Sequence, residues 1–160
     1  MLFSNHSLRE ALRASAGTFE EAFSPEWVEK NITDQANELV VLRRIIPWEA
    51  TVSLLAPFYD RTAGAAGRSL RIMTAILIIS RLRGLSDRKV VEQVRENRYI
   101  QYFCNVPDRG LQTFLHPSSL CVFRKRIGEK GFAIIEQGRV AGRFQRNIRS
   151  RPENFSGKGR

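Results

Sequence analysis

Ser118-Ser119, Arg124-Lys125-Arg126 and Lys130 form the stretch of this chain best suited to meeting an anion. Helix N-termini and serine hydroxyls bind phosphate, and Lys and Arg reach phosphate oxygens or guanine edges. Helical spacing turns Leu120, Phe123 and Ile127 inward and Ser118, Ser119, Val122, Lys125 and Arg126 outward, with Arg124 on the flank. The competing reading has Ser118 only capping a helix of about 119–127 and the basic triplet only solvated. A second basic set, Arg88 and Lys89 with Arg95, is interleaved with Asp87, Glu92 and Glu96, whose carboxylates repel phosphate. Packing accounts for that helix at least as well as entry into a DNA groove.

No catalytic or metal-binding set accompanies these cations. Cys104, His116 and Cys121 are scattered and lack a CxxC pair, short of a closed four-ligand zinc site. Two histidines, His6 and His116, build no nucleophile triad, and Gly64-Ala65-Ala66-Gly67 lacks the Lys and Ser/Thr of a phosphate loop. The expectation is a non-enzyme with no cofactor, no metal and no small-molecule substrate.

The elements that must position the basic residues are helical. Ser24 can cap and Pro25 can begin a short helix. Leu8 and Leu12 hint at another ahead of it. Leu39, Leu42, Ile45 and Ile46 recur at helical spacing, and Pro47 starts a second helix carrying Trp48, Val52, Leu55 and Phe58. A loop is expected over 61–67. The segment from about Leu70 to Arg83 is apolar on nearly all sides, which predicts a central helix. Gly84 supplies a left-handed stop, Leu85 folds back, and Ser86-Asp87 caps a helix to about Glu96 that buries Val90, Val91 and Val94. Arg81 and Arg83 suit the dipole at the end of the preceding helix. Tyr99, Tyr102 and Phe103 extend the apolar surface in a short helix and belong to the core. After a loop through Pro107, Gly110 and Pro117, the Ser118 helix ends at Gly128 and a last helix begins at Glu129. No segment alternates as a strand does, so the class is all-α: a compact multi-helix domain with a helix-turn-helix-like element and a basic, disordered C-terminal tail. The organisation expected is a lead-in over 1–32, the helical domain over 33–137 and the tail over 138–160.

Charge separates the two ends of the chain. Residues 1–66 carry 6 Lys/Arg against 9 Asp/Glu, residues 67–119 carry 9 against 4, and residues 120–160 carry 11 against 3, within a formal total of +10. This asymmetry suits one surface that meets a polyanion. Two cysteines make no disulfide framework, no secretory signal opens the chain, and Leu70 to Ile79 is too short to span a bilayer. A bacterial cytoplasmic, nucleoid-associated setting is expected, with no membrane partner.

Three stretches are more specific: Arg83-Gly84-Leu85-Ser86-Asp87; Glu96-Asn97-Arg98-Tyr99-Ile100-Gln101-Tyr102-Phe103-Cys104; and Pro117-Ser118-Ser119-Leu120 with Phe123-Arg124-Lys125-Arg126-Ile127-Gly128-Glu129-Lys130-Gly131. In this order and spacing they resemble the N-terminal domain of insertion-sequence-five type bacterial transposases, over about residues 35 to 137. Ile46-Pro47-Trp48-Glu49 resembles the short helical pair ahead of them. The resemblance implies a domain that helps recognise an element's terminal inverted repeats and pairs with a second copy. It also implies a separate RNase H-like domain with a DDE carboxylate set, which these residues do not supply. A truncated, out-of-frame or degenerate end is therefore expected. His116 stands where the family has Asp, removing a carboxylate that could cap the helix, and Phe123 stands where it has Trp.

Double-stranded DNA is thus the expected partner, held through Ser118, Ser119, Arg124, Lys125, Arg126 and Lys130, with Arg88 and Lys89 as a second set and the Arg139 to Arg151 stretch as an auxiliary. The alternative is a self-association module, in which Leu39 to Phe58 and the aromatic helix pair with another copy or with a full-length transposase. A fragment without a selected function is the third possibility.

Overall fold

The fold was obtained as a computed structural model that describes residues 21–58, 69–107 and 115–149, with side chains to residue 139. The expected loop over 61–67, the Leu8/Leu12 segment, Gly110 and residues 150–160 lie outside the described residues. Seven α-helices and one 3₁₀ turn make up the regular structure there: α1 Pro25–Asn31, α2 Glu38–Ile45, α3 Trp48–Leu55 with a 3₁₀ turn Ala56–Phe58, α4 Leu70–Arg83, α5 Asp87–Glu96, α6 Arg98–Cys104 and α7 Pro117–Arg149. No strand occurs among the described residues, as expected.

Local chemistry sets most of the helix ends. Ser24 Oγ accepts the Trp27 N–H at 3.2 Å, with Pro25 in the first turn of α1. Asn37 caps α2 through the Leu39 N–H. Pro47 separates α2 from α3, since its ring leaves no N–H to continue a helix. Gly84, at φ 61° and ψ 38°, stops α4, and the Leu85 N–H reaches back to the Ser80 carbonyl at 2.9 Å. Ser86 Oγ accepts the Lys89 N–H to open α5, and Asn97 Oδ1 accepts from Tyr99 and Ile100 to open α6.

Helix α4 is the central element. Met73 through Ser80 are all buried, as the all-round apolar pattern predicts. Around it gather Leu39, Leu42, Leu55, Val90, Val91, Val94, Phe103, Leu120, Ile127 and Ile135 in one cluster. The described end of the lead-in, residues 21–32, packs on this body. Phe23 and Ile32 pack with Val40 and Tyr102, and the rings of Phe23 and Tyr102 meet edge-on at 5.6 Å. The aromatic residues of α6 are core, as expected, except that Tyr99 stays half-buried and its hydroxyl accepts the Asp34 N–H.

A charged side chain also enters this core. Arg71 is only 5% exposed. Its Nη2 donates to the Phe103 carbonyl at 2.9 Å, and its guanidinium lies 3.3 Å from the centre of the Trp48 ring. Burial pushes its pKa down to about 9, so it remains charged at neutral pH. Arg43 from α2 donates to the adjacent Tyr102 carbonyl at 2.8 Å and lies over the Tyr102 ring. Two arginines from two helices therefore cap the C-terminal carbonyls of α6, where a helix dipole favours cations. Asn105 completes this end in the left-handed region, and its Oδ1 accepts from Arg43 and from the Ala22 N–H.

Helix α7 is broken at Gly128, whose φ of 55° and ψ of −163° are not helical. The expected stop at Gly128 and restart at Glu129 are thus present as a sharp bend. The second arm runs to Arg149, so the first part of the basic stretch that begins at Gly138 is helical. It lies close to α3: a Cβ on Gly138 would meet Thr51 Oγ1 at 2.5 Å. Thr51 is buried there, with its hydroxyl donating to the Pro47 carbonyl.

Candidate nucleic-acid interface

The first arm of α7, residues 117–127, carries the side chains singled out for anion contact. Leu120, Phe123 and Ile127 are buried, while Ser118, Cys121, Val122, Lys125 and Arg126 are exposed. That is the division the helical spacing predicts, with Ser119 half-buried rather than fully outward. Lys130, beyond the bend, is exposed as well.

One expected role changes. Ser118 is not the cap, because the helix already begins at Pro117. The residue before it, His116, does the capping: its Nδ1 accepts the Ser118 N–H at 3.2 Å, and its carbonyl accepts the Ser119 N–H at 2.9 Å. A ring nitrogen that accepts carries no proton, so the Ser118 hydroxyl, 2.7 Å away, donates to it too. The imidazole thus supplies the acceptor that an Asp would supply at this position. The hydroxyl proton of Ser118 is engaged within the protein.

Arg124, on the flank, is paired within the protein. Its Nη1 donates to Asp87 Oδ2 at 2.8 Å, and its Nη2 comes within 2.5 Å of Asp87 Oδ1 as an ion-pair contact. Asp87 is the first residue of α5, immediately after the Gly84 turn. Two of the sequence stretches that looked distinctive separately are therefore tied to each other, and Arg124 links the first arm to α5. The second arm is fixed to α4: Glu136 accepts from Arg139 at 2.8 Å and from Arg81 at 3.2 Å, and Arg81 lies 4.5 Å from the Phe132 ring centre. The hydrogen bond from Arg139, aided by Arg81 and opposed by burial, holds the Glu136 carboxyl below its ordinary range. Arg81 thus serves this contact rather than only the end of its own helix.

On α5, Arg88 and Lys89 are exposed as expected. Lys89 Nζ pairs with Glu92 at 2.8 Å, which raises the Lys89 pKa and lowers that of Glu92. Arg95 and Glu96 share this outer surface, so its charge is mixed. The first arm of α7 differs, with no acidic residue from Ser118 to Gly128.

Part of the segment assigned in the alternative to self-association packs internally. Leu39, Leu42, Leu55 and Phe103 all lie in the main cluster. Cys104 is buried and Cys121 exposed, and no group of three or more His, Cys, Asp or Glu that could hold a metal occurs among the described residues. No helix among them is long and apolar enough to cross a membrane.

Residues 26–126 match the family described as transposase domain, DUF772. The chain is also 31% identical over 129 residues to an uncharacterized protein, ORF8 in the nfe locus of Rhizobium meliloti, covering 78% of this chain and 59% of that protein. It thus spans less than two thirds of the length of the curated relative it matches. No solved structure matches it. The matched span runs from α1 through the basic triplet of α7, taking in the Asp87–Arg124 pair and the arginine-capped α6: this chain belongs to the DUF772 transposase-domain family.

Proposed function

We propose that this domain binds double-stranded DNA through the outward face of the first arm of α7, serving a transposase in recognition of the terminal inverted repeats of its element. The observation that carries this reading is the acid-free exposed stripe of Ser118, Cys121, Val122, Lys125 and Arg126, tethered at its start and its flank. His116 fixes the start of the helix and Asp87 fixes its flank through Arg124. Membership of a transposase-domain family makes DNA the relevant polyanion. Lys125, Arg126 and Lys130 would contact phosphates, giving an affinity that falls as salt displaces protein cations from the backbone. Arg88 and Lys89 add a weaker contribution because Glu92 and Glu96 oppose it.

Duplexes cut from the DNA flanking the coding sequence, compared with scrambled duplexes of equal composition, provide the test. Preferential binding of a repeat-bearing duplex, weakening steeply between low and moderate salt, is expected. Binding that is equal for repeat and scrambled duplexes removes the recognition role, and salt-independent binding removes the electrostatic mechanism.

A further inference from the structure

Val122 is the exposed large hydrophobic side chain of the described residues, at 50%. Valine is less favourable in a helix than alanine by up to about 0.7 kcal/mol, and this one faces away from the buried seam of Leu120, Phe123 and Ile127. Its neighbours are informative. Ser118 lies one turn before it, Lys125 and Arg126 about one turn after it, and Cys121 beside it, all exposed. An apolar methyl pair sits at the middle of a face whose ends are polar and cationic.

A second copy of this chain suits that face poorly, since two such faces brought together oppose Lys125 and Arg126 to their own counterparts. The occupant must be anionic at its edges and offer an apolar group between them. The major groove of duplex DNA has this combination: phosphates border it, and the C5-methyl of thymine is an apolar group displayed along its floor. A helix fits within the groove's width.

Resting on the DNA-binding reading above, we propose that Val122 packs on the C5-methyl group of a thymine in the major groove and so sets a base preference at one position of the bound site. It is a specificity-determining residue, with Lys125 and Arg126 holding the flanking backbone.

The test is a selection from a fully randomised duplex pool, prepared once with thymine and once with uracil, which lacks only the methyl group. Wild-type protein should enrich thymine at one fixed position of the first pool and lose that preference in the second. A selected duplex should weaken roughly fourfold when that thymine becomes uracil, the worth of one buried methyl group. Val122→Ala, an exposed change that favours helix, should bind the thymine and uracil duplexes alike while keeping the wild-type salt dependence. Equal wild-type affinity for both duplexes overturns the proposal, as does an undiminished thymine preference in Val122→Ala. Light scattering that shows dimers dispersed by Val122→Ser assigns the face to a second copy and also overturns it. Failure to bind any duplex overturns the DNA-binding reading as well, so the two failures are distinguishable.

Discussion

Replacing Gly84 and Gly128 by asparagine separates two kinds of left-sided backbone that look alike in the sequence. Both glycines have positive φ, and a Cβ at either would meet no atom within 4 Å, so steric crowding by neighbours plays no part. The difference is in ψ. Gly84 sits at 38°, inside the left-handed helical region that asparagine tolerates. Asn105 already occupies that region in this fold, at φ 60° and ψ 40°. Gly128 pairs φ 55° with ψ −163°, a region open essentially only to glycine. Forcing another residue there costs about 1–3 kcal/mol, of which roughly 0.4–1 kcal/mol is returned through the less flexible unfolded chain. Gly128→Asn should therefore destabilise by about 1–2 kcal/mol, and Gly128→Ala by a similar amount. Gly84→Asn should cost clearly less than Gly84→Ala, whose penalty is about 1–2 kcal/mol. With a urea slope of about 1–3 kcal/mol per molar, Gly128→Asn lowers the unfolding midpoint by roughly 0.5–1 M. Midpoints from urea titrations followed by circular dichroism decide the matter. If Gly128→Asn unfolds no earlier than Gly84→Asn, the bend at Gly128 is not the conformation described, and the two arms of α7 are not held as argued.

Asp87 and Arg124 should couple in a double-mutant cycle of alanine substitutions by about 0.5–1 kcal/mol, the range for a partly exposed pair; additive losses in urea titrations would deny the link between α5 and α7. Glu136→Gln should flatten the acid limb of the stability profile. The native carboxyl has a lowered pKa, so its contribution is full above the ordinary value of 4.5 and is lost as pH falls through the lowered one; an unchanged acid limb would contradict the pairing. Iodoacetamide at mildly alkaline pH should label Cys121 alone in the native protein, because burial pushes the Cys104 thiol up to about 12. Equal labelling of both, read by mass spectrometry of peptides, would place Cys104 outside the core.

Helix boundaries were legible because their signals are local. Ser24-Pro25, Gly84, Ser86 and Gly128 act through their own backbone and the next few residues, and each does what its position implies. The burial of α4 and the inward seam of α7 followed from spacing alone. Contacts between distant residues carry no such periodic signal. The Arg124–Asp87 pair, 37 positions apart, turns a residue of the basic triplet into a strut. Arg71 reads as a polar interruption of an apolar helix until the α6 carbonyls that it caps come into view. His116 reads as the loss of a carboxylate, although imidazole Nδ1 is also an acceptor and restores the cap. Thr51 and Gly138 share a helix crossing that neither residue announces separately.

Anisotropy titrations of a repeat-bearing duplex at several salt concentrations, comparing wild type with Lys125→Ala and Lys30→Ala, test the central claim most directly. Lys125 is on the exposed stripe of α7 and Lys30 is an exposed cation of α1. Loss of one phosphate contact should weaken binding by Lys125→Ala and reduce its salt slope by about 1, leaving Lys30→Ala unchanged. Identical affinity and slope for all three proteins would contradict DNA engagement by this face.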